Sequence, residues 1–85
     1  MNWQIRVAES ATKQLNRFPN QDSLRIHKAI DQMVFNPFIG DIQKLGGYEN
    51  AWRRRVGNYR IRFVIELDSH TINIVDIQRR TSSTY

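Results

Sequence analysis

Apolar and polar positions follow two different periods along the first part of the chain. Residues 2–7, NWQIRV, alternate apolar and polar side chains, which is typical of a half-buried strand. The spacing then changes to three or four residues, the period of a helix with one buried face. It predicts helices over 9–18 and over about 22–35, ended by Pro19 and Pro37 respectively. We interpret the apolar stripes of both helices as core rather than as a cofactor site.

Strand-like alternation returns after residue 50 and continues almost to the end of the chain. Residues 36–50, which contain NPF and KLGG, are interpreted as a loop. Three further strands are predicted, over 51–56, 59–66 and 71–78. The order β-α-α-β-β-β indicates an α+β fold with a four-stranded antiparallel sheet and both helices packed on one face. A chain of 85 residues is long enough for one domain, covering 1–85.

The two central strands carry a high concentration of arginine. Residues 51–63 read AWRRRVGNYRIRF, with five arginines among thirteen residues. Because side chains alternate across a strand, one face of this hairpin is expected to be apolar and the other basic. The row predicted to face the helices is Trp52, Val56, Tyr59, Ile61, Phe63 and Ile65. The row predicted to face outward is Arg53, Arg55, Arg60 and Arg62.

Arg54 interrupts this pattern in the middle of the arginine run. Alternation places it on the same face as Trp52 and Val56, which we expect to pack against the helices. We therefore predict a structural role for Arg54. Its side chain either reaches the end of the sheet or pairs with a carboxylate such as Glu49 or Glu66.

Composition narrows the range of partners and cofactors. Thirteen Lys and Arg against eight Asp and Glu give a net charge of +5, which favours nucleic acid or an acidic protein segment as partner. There is no cysteine and the two histidines are isolated, so we expect neither a metal nor another cofactor. No segment approaches the ~20 apolar residues of a membrane span, and MNWQIRVAES does not resemble a signal peptide. We expect a cytoplasmic protein without membrane contact.

The outward arginines of the hairpin predict a phosphate-binding site. Arginine binds phosphate through two hydrogen bonds and stays charged at any relevant pH. The alternative is that these side chains are merely solvated, although like charges on neighbouring strands repel each other. Arg79, Arg80 and Tyr85 follow the last predicted strand and favour the phosphate site.

Several of these segments together resemble one protein family. KLGG, then WRRRVGNYRIRFVIE, then an arginine pair with a terminal tyrosine is similar to the RelE toxins of the RelE/ParE superfamily. These are the toxic halves of type II toxin–antitoxin pairs, and the resemblance covers essentially the whole chain. It implies a metal-independent, ribosome-dependent endoribonuclease that cuts mRNA in the ribosomal A site. It also implies a cognate antitoxin that covers the basic face, with operator DNA bound only through the toxin–antitoxin complex.

The same resemblance assigns candidate site residues. Carried over residue by residue, the catalytic positions fall on Arg53, Arg55, Arg60, one of the pair Arg79 and Arg80, and Tyr85. Counting from the end of the last strand favours Arg80, whereas counting back from Tyr85 favours Arg79. We further predict that Lys44, the first residue of KLGG, and Arg62 bind RNA phosphates.

Proton transfer is the step for which these residues are least suited. The pKa of arginine is ~12.5 or higher, so a guanidinium is a poor base and a poor acid. Tyr85 is one candidate to move a proton, unless it stacks on a base. Asp76 is a candidate base on the last strand, unless it pairs with a neighbouring arginine. Two other functions stay open: a ParE-like inhibitor of DNA gyrase, and an RNA-binding domain without cleavage activity.

Overall fold

The computed structural model describes residues 2–47 and 49–79, so the predictions for Arg80 and Tyr85 lie outside the described residues. The elements, in chain order, are β1 (Gln4–Val7), α1 (Glu9–Arg17), α2 (Asn20–Phe35), β2 (Asp41–Lys44), β3 (Ala51–Val56), β4 (Tyr59–Glu66) and β5 (Thr71–Arg79). Every predicted helix and strand is present, with ends that agree to within two residues. No helix in the described part of the chain is long and apolar enough to cross a membrane.

The sheet has five strands in the order β1-β5-β4-β3-β2, and the α+β class is confirmed. The prediction of four antiparallel strands is wrong in two respects. First, β1 pairs with β5 in parallel, so the sheet is mixed. Second, β2 forms from residues that we interpreted as loop and pairs with β3 at the edge of the sheet. Its sequence, DIQK, contains a single apolar residue, which is too little to show an alternation.

The two helices cover one face of the sheet and supply six of the thirteen core residues that the structure describes. Ala11 and Leu15 of α1 are buried, as are four apolar residues of α2: Ile26, Ala29, Ile30 and Met33. Glu9 in the first turn of α1 and Arg17 in its last turn match the polarity of the helix dipole. The side chain of Gln14 fixes α1 to the sheet, because its Oε1 accepts a hydrogen bond of 2.8 Å from the Ile77 amide.

The sheet side of the core confirms the predicted inward row of β4. Its buried members, all at most 4% exposed, are Tyr59, Ile61, Phe63 and Ile65. They pack with Ile72, Ile74 and Ile77 of β5. The last three do not alternate, because the β4–β5 register slips at Val75, between the Phe63–Ile74 and Arg62–Asp76 pairs. This bulge explains why the sequence of β5 looks apolar on both faces.

Candidate functional site

Four arginines form a block on the sheet face opposite the helices. The antiparallel register places Arg53 across from Arg62 and Arg55 across from Arg60. Residues that stand opposite each other on neighbouring strands share a face. The outward row predicted from alternation is therefore the arrangement found in the structure.

The edge strand β2 adds two polar side chains to this block. Its register places Asp41 across from Arg55 and Gln43 across from Arg53. Gln43 accepts a hydrogen bond of 2.5 Å from Arg53 Nη2, which holds that guanidinium beside β2. A cleft of about 250 Å³ opens here, lined by Asp41, Gln43, Arg53, Arg55 and Arg60. We call it the basic cleft. Sequence reasoning missed Asp41 and Gln43, because they lie in the strand that was interpreted as loop.

The fourth arginine of the block is engaged by a carboxylate. Arg62 donates a 2.8 Å hydrogen bond from Nε to Asp76 Oδ1 and a second one from Nη2 to Asp76 Oδ2. Asp76 is thus the partner of a neighbouring arginine, as one of our two alternatives stated. The prediction that Arg62 binds RNA phosphate is not tested, and Arg62 does not line the basic cleft. Within residues 2–47 and 49–79 no group of three or more His, Asp or Glu is placed to hold a metal ion.

Beside Arg62 the same face becomes apolar. A second cleft, of about 200 Å³, is lined by Leu45, Ala51, Arg62, Phe63, Val64 and Val75. We call it the apolar cleft. Val75 is 40% exposed there because the bulge turns it away from the core. The face opposite the helices therefore combines a basic half and an apolar half.

Two predicted site residues lie away from the basic cleft. Lys44 stands across from Trp52, and Arg79 stands across from Tyr59, so both belong to the face that the helices cover. The positive charge of Arg79 acts to lower the pKa of Tyr59, which agrees with that placement. The register therefore does not bring Arg79 together with Arg55 and Arg60. Of the predicted catalytic residues, the described structure unites Arg53, Arg55 and Arg60.

Arg54 is buried on the helix side, at 9% exposure, as its position in the strand predicts. The predicted pairing with Glu49 or Glu66 is wrong. Its Nη1 donates to the Ala29 carbonyl oxygen (3.1 Å) and its Nη2 donates to Gln32 Oε1 (2.6 Å). Both acceptors belong to α2. They lie more than 20 residues from Arg54 along the chain, so no local sequence pattern predicts this contact. Burial lowers the pKa of the Arg54 guanidinium from its ordinary value.

Tyr59 is the tyrosine nearest to the arginine block in sequence, but it points into the helix side. Its hydroxyl donates a hydrogen bond of 2.6 Å to Asp22 Oδ2 of α2. That bond, together with burial, raises the pKa of Tyr59, and the charge of Arg79 opposes the shift. Tyr59 therefore serves to join α2 to the sheet and takes no part in the basic cleft.

Comparisons with known proteins agree with the fold. A family model described as the ParE toxin of type II toxin–antitoxin systems, parDE, matches residues 5–83. Toxin RelE3 of Methanocaldococcus jannaschii is 34% identical over 82 residues, which are 92% of this chain and 91% of the relative. The chain belongs to the RelE/ParE family of toxins of type II toxin–antitoxin systems.

Solved structures show the same architecture. The toxin of the archaeal RelE–RelB complex from Pyrococcus horikoshii OT3 superposes with a TM-score of 0.86 at 22% identity, covering 98% of this chain and 100% of that chain. The RelB–RelE complex from Methanococcus jannaschii gives a TM-score of 0.74 at 29% identity, covering 88% and 90%. The fold is therefore RelE-like, which confirms the resemblance seen in the sequence.

Proposed function

We propose that this protein is a RelE-type toxin that cleaves mRNA in the ribosomal A site and thereby inhibits translation. The observation that carries the proposal is the basic cleft, in which Arg53, Arg55 and Arg60 line one cavity on the face opposite the helices. Three guanidinium groups on rigid neighbouring strands provide a site for a phosphodiester. Relatives named RelE toxins support the same assignment.

The residues of the cleft suit one part of the chemistry. When the 2′-hydroxyl of RNA attacks the adjacent phosphate, negative charge accumulates on the phosphoryl oxygens in the transition state. Arginines held in place before the reaction stabilise that charge without reorganisation. In this proposal Arg80 and Tyr85 are further catalytic residues, and no metal or other cofactor takes part.

A second function is favoured by one observation, which is that the matching family model is described as a ParE toxin. A ParE-type protein would inhibit DNA gyrase and would leave mRNA intact. The two functions differ in their first effect on the cell, which is inhibition of translation for a RelE-type toxin and DNA damage for a ParE-type toxin. An RNA-binding domain without cleavage activity is the third outcome.

Primer extension on mRNA in programmed ribosomes tests the proposal. We expect cleavage in the A site by the native chain and a loss of at least about 100-fold in Arg60→Ala, because a guanidinium that stabilises transition-state charge is removed. Lys28→Ala is the matched control, since it removes an equal charge from an exposed position on α2. Gyrase-linked DNA damage with intact mRNA would establish the ParE-type function instead. If neither effect is observed, the remaining function is RNA binding without cleavage.

The proposed partner is a cognate antitoxin that covers the face opposite the helices. The two similar archaeal structures are complexes of RelE with RelB. A segment with acidic side chains for the basic cleft and apolar side chains for the apolar cleft would match both halves of this face. We expect the antitoxin to prevent ribosome binding, and operator DNA to bind only to the complex. If toxin and antitoxin sediment together with ribosomes, the prediction that the antitoxin prevents ribosome binding is wrong.

A further inference from the structure

The arginines of the basic cleft stabilise charge but cannot accept a proton. A guanidinium has five N–H donors and no acceptor, whereas an ionised carboxylate has acceptors only. Three carboxylates of the described strands lie on the face opposite the helices, Asp41, Glu66 and Asp76. Glu66 lies at the far end of β4 and accepts hydrogen bonds from Ser69 and Asn73. Asp76 is held by both hydrogen bonds from Arg62. This leaves Asp41 as the acceptor to consider.

Asp41 differs from Asp76 in that the described residues give it no hydrogen bond and no ion pair. It nevertheless lines the basic cleft together with Arg55 and Arg60. A salt bridge from a carboxylate to an arginine cluster would offset part of the repulsion among the cations, and Asp41 forms none with the described residues. The structure uses Gln43, a neutral side chain, to hold Arg53 and leaves Asp41 open to the cleft.

The register sets the distance between Asp41 and the arginines. Asp41 stands across from Arg55, and Arg55 stands across from Arg60, so the three residues form one row over β2, β3 and β4. Neighbouring strands lie about 4.8 Å apart, so the row spans about 10 Å. That is the size of one nucleotide with its flanking phosphate. A phosphate bound at Arg55 and Arg60 therefore shares one row of the cleft with the Asp41 carboxylate.

We propose that Asp41 is the catalytic base of this site, an inference that rests on the proposed ribonuclease function. Its carboxylate takes the proton from the 2′-hydroxyl, and the 2′-oxygen forms a bond to the adjacent phosphorus. The bond from phosphorus to the 5′-oxygen breaks, and that oxygen leaves with the electron pair and takes a proton from water. The products are a 2′,3′-cyclic phosphate and a 5′-hydroxyl, and Asp41 returns its proton to solvent. Proton transfer by a positioned base contributes typically ~10²–10⁴-fold.

A purely electrostatic role for Asp41 predicts the opposite result. If the carboxylate only screened Arg53, Arg55 and Arg60, its removal would strengthen the attraction for phosphate and for the charge of the transition state. Cleavage would then become faster or stay the same. Loss of a base makes it slower while binding is kept, so the sign of the change decides between the two roles.

The experiment is single-turnover cleavage on programmed ribosomes with saturating toxin, comparing the native chain, Asp41→Asn and Asp41→Glu. We expect Asp41→Asn to cleave about 10²–10⁴-fold more slowly with ribosome affinity equal or tighter. Asp41→Glu keeps part of the rate because it keeps the carboxylate. Asp68→Asn, an equal loss of charge in the exposed turn before β5, keeps the native rate.

The pH dependence gives a second readout that a structural role would not move. Without its base the reaction depends on hydroxide, so the rate of Asp41→Asn should rise with pH in proportion to hydroxide concentration, and the native rate should change much less. The charged groups that face Asp41 are Arg53 and Arg55 from β3 and Arg60 from β4, and Lys44 of β2 lies on the other face.

The outcomes separate this inference from the function on which it rests. Native-like or faster cleavage by Asp41→Asn overturns the role of Asp41 and leaves the ribonuclease assignment intact. A slow variant that has also lost ribosome affinity overturns it as well, because the defect would then be in binding. Absence of cleavage by the native chain overturns the proposed function, and the role of Asp41 falls with it.

Discussion

Three consecutive arginines show that residue type alone does not determine whether a side chain is structural or available to a ligand. Arg53 is fixed by Gln43 at the edge of the basic cleft, and Arg55 lines the same cleft. Arg54, between them, is buried against α2 and bonded to Gln32. Because side chains alternate along a strand, Arg54 connects the sheet to α2, whereas Arg53 and Arg55 line the basic cleft, where an anion can bind.

Tyr59 provides the prediction at the scale of single residues. Its hydrogen bond to Asp22 is buried at the tyrosine end, so Tyr59→Phe should lower the free energy of unfolding by about 1–2 kcal/mol at neutral pH. The folded-state pKa of Tyr59 is raised, chiefly by this bond. Its stabilising effect is therefore complete below the ordinary tyrosine pKa of about 10 and is lost as pH rises through the folded value.

Urea unfolding from pH 7 upward measures this effect. The stability difference between the native chain and Tyr59→Phe should be constant up to about pH 9 and should shrink above about pH 10. In an Asp22→Ala background the substitution should cost less, because the acceptor is already gone. A difference that stays constant through pH 11 would show that the hydroxyl does not hold its proton through this bond.

At the scale of elements, the sequence predicted those helices and strands that are long enough to show a hydrophobic period. Helices and strands with several alternating or helically spaced apolar residues were found, as was the inward face of β4. The four-residue strand β2 was missed, and with it the two polar side chains that complete the cleft, Asp41 and Gln43. The bulge at Val75 was missed too, since it depends on pairing with β4 and not on the local sequence of β5.

Gly40 links the missed strand to the buried arginine and gives the prediction at this scale. Its φ is +87°, and a Cβ there would lie 2.8 Å from Arg54 Nε. Gly40→Ala should therefore cost about 1–3 kcal/mol in stability through backbone strain, with an additional clash against Arg54. Gly46→Ala is the matched control, because a Cβ at Gly46 meets no atom within 4 Å.

A double-mutant cycle by thermal or urea unfolding separates the two contributions. In an Arg54→Ala background, Gly40→Ala should cost less than in the native chain, since only the strain at positive φ remains. Gly46→Ala should change the stability little in either background. If Gly40→Ala lowers the stability equally in both backgrounds, the added Cβ does not clash with the side chain of Arg54.

At the scale of the whole molecule, the net charge of +5 is unevenly distributed. The basic cleft lies where β3 ends and β4 begins, near Gly57, with the side chains of Arg53, Arg55 and Arg60. At the opposite end of the same strands, an open depression is lined by three acidic residues, Glu49, Glu66 and Asp68. The field of the molecule therefore attracts a polyanion to one end of the sheet and repels it at the other.

This distribution predicts which arginines control the salt dependence of RNA binding. For single strands, the slope of log K against log salt concentration is about −0.7 for each phosphate neutralised. Arg55→Ala and Arg60→Ala should each reduce the steepness for a single-stranded RNA oligonucleotide by about 0.7, whereas Lys28→Ala on α2 should weaken binding slightly without changing the slope. Fluorescence anisotropy at several salt concentrations measures both quantities. Equal changes of slope for all three variants would mean that RNA responds to the total charge, and that the basic cleft has no privileged contact with phosphate.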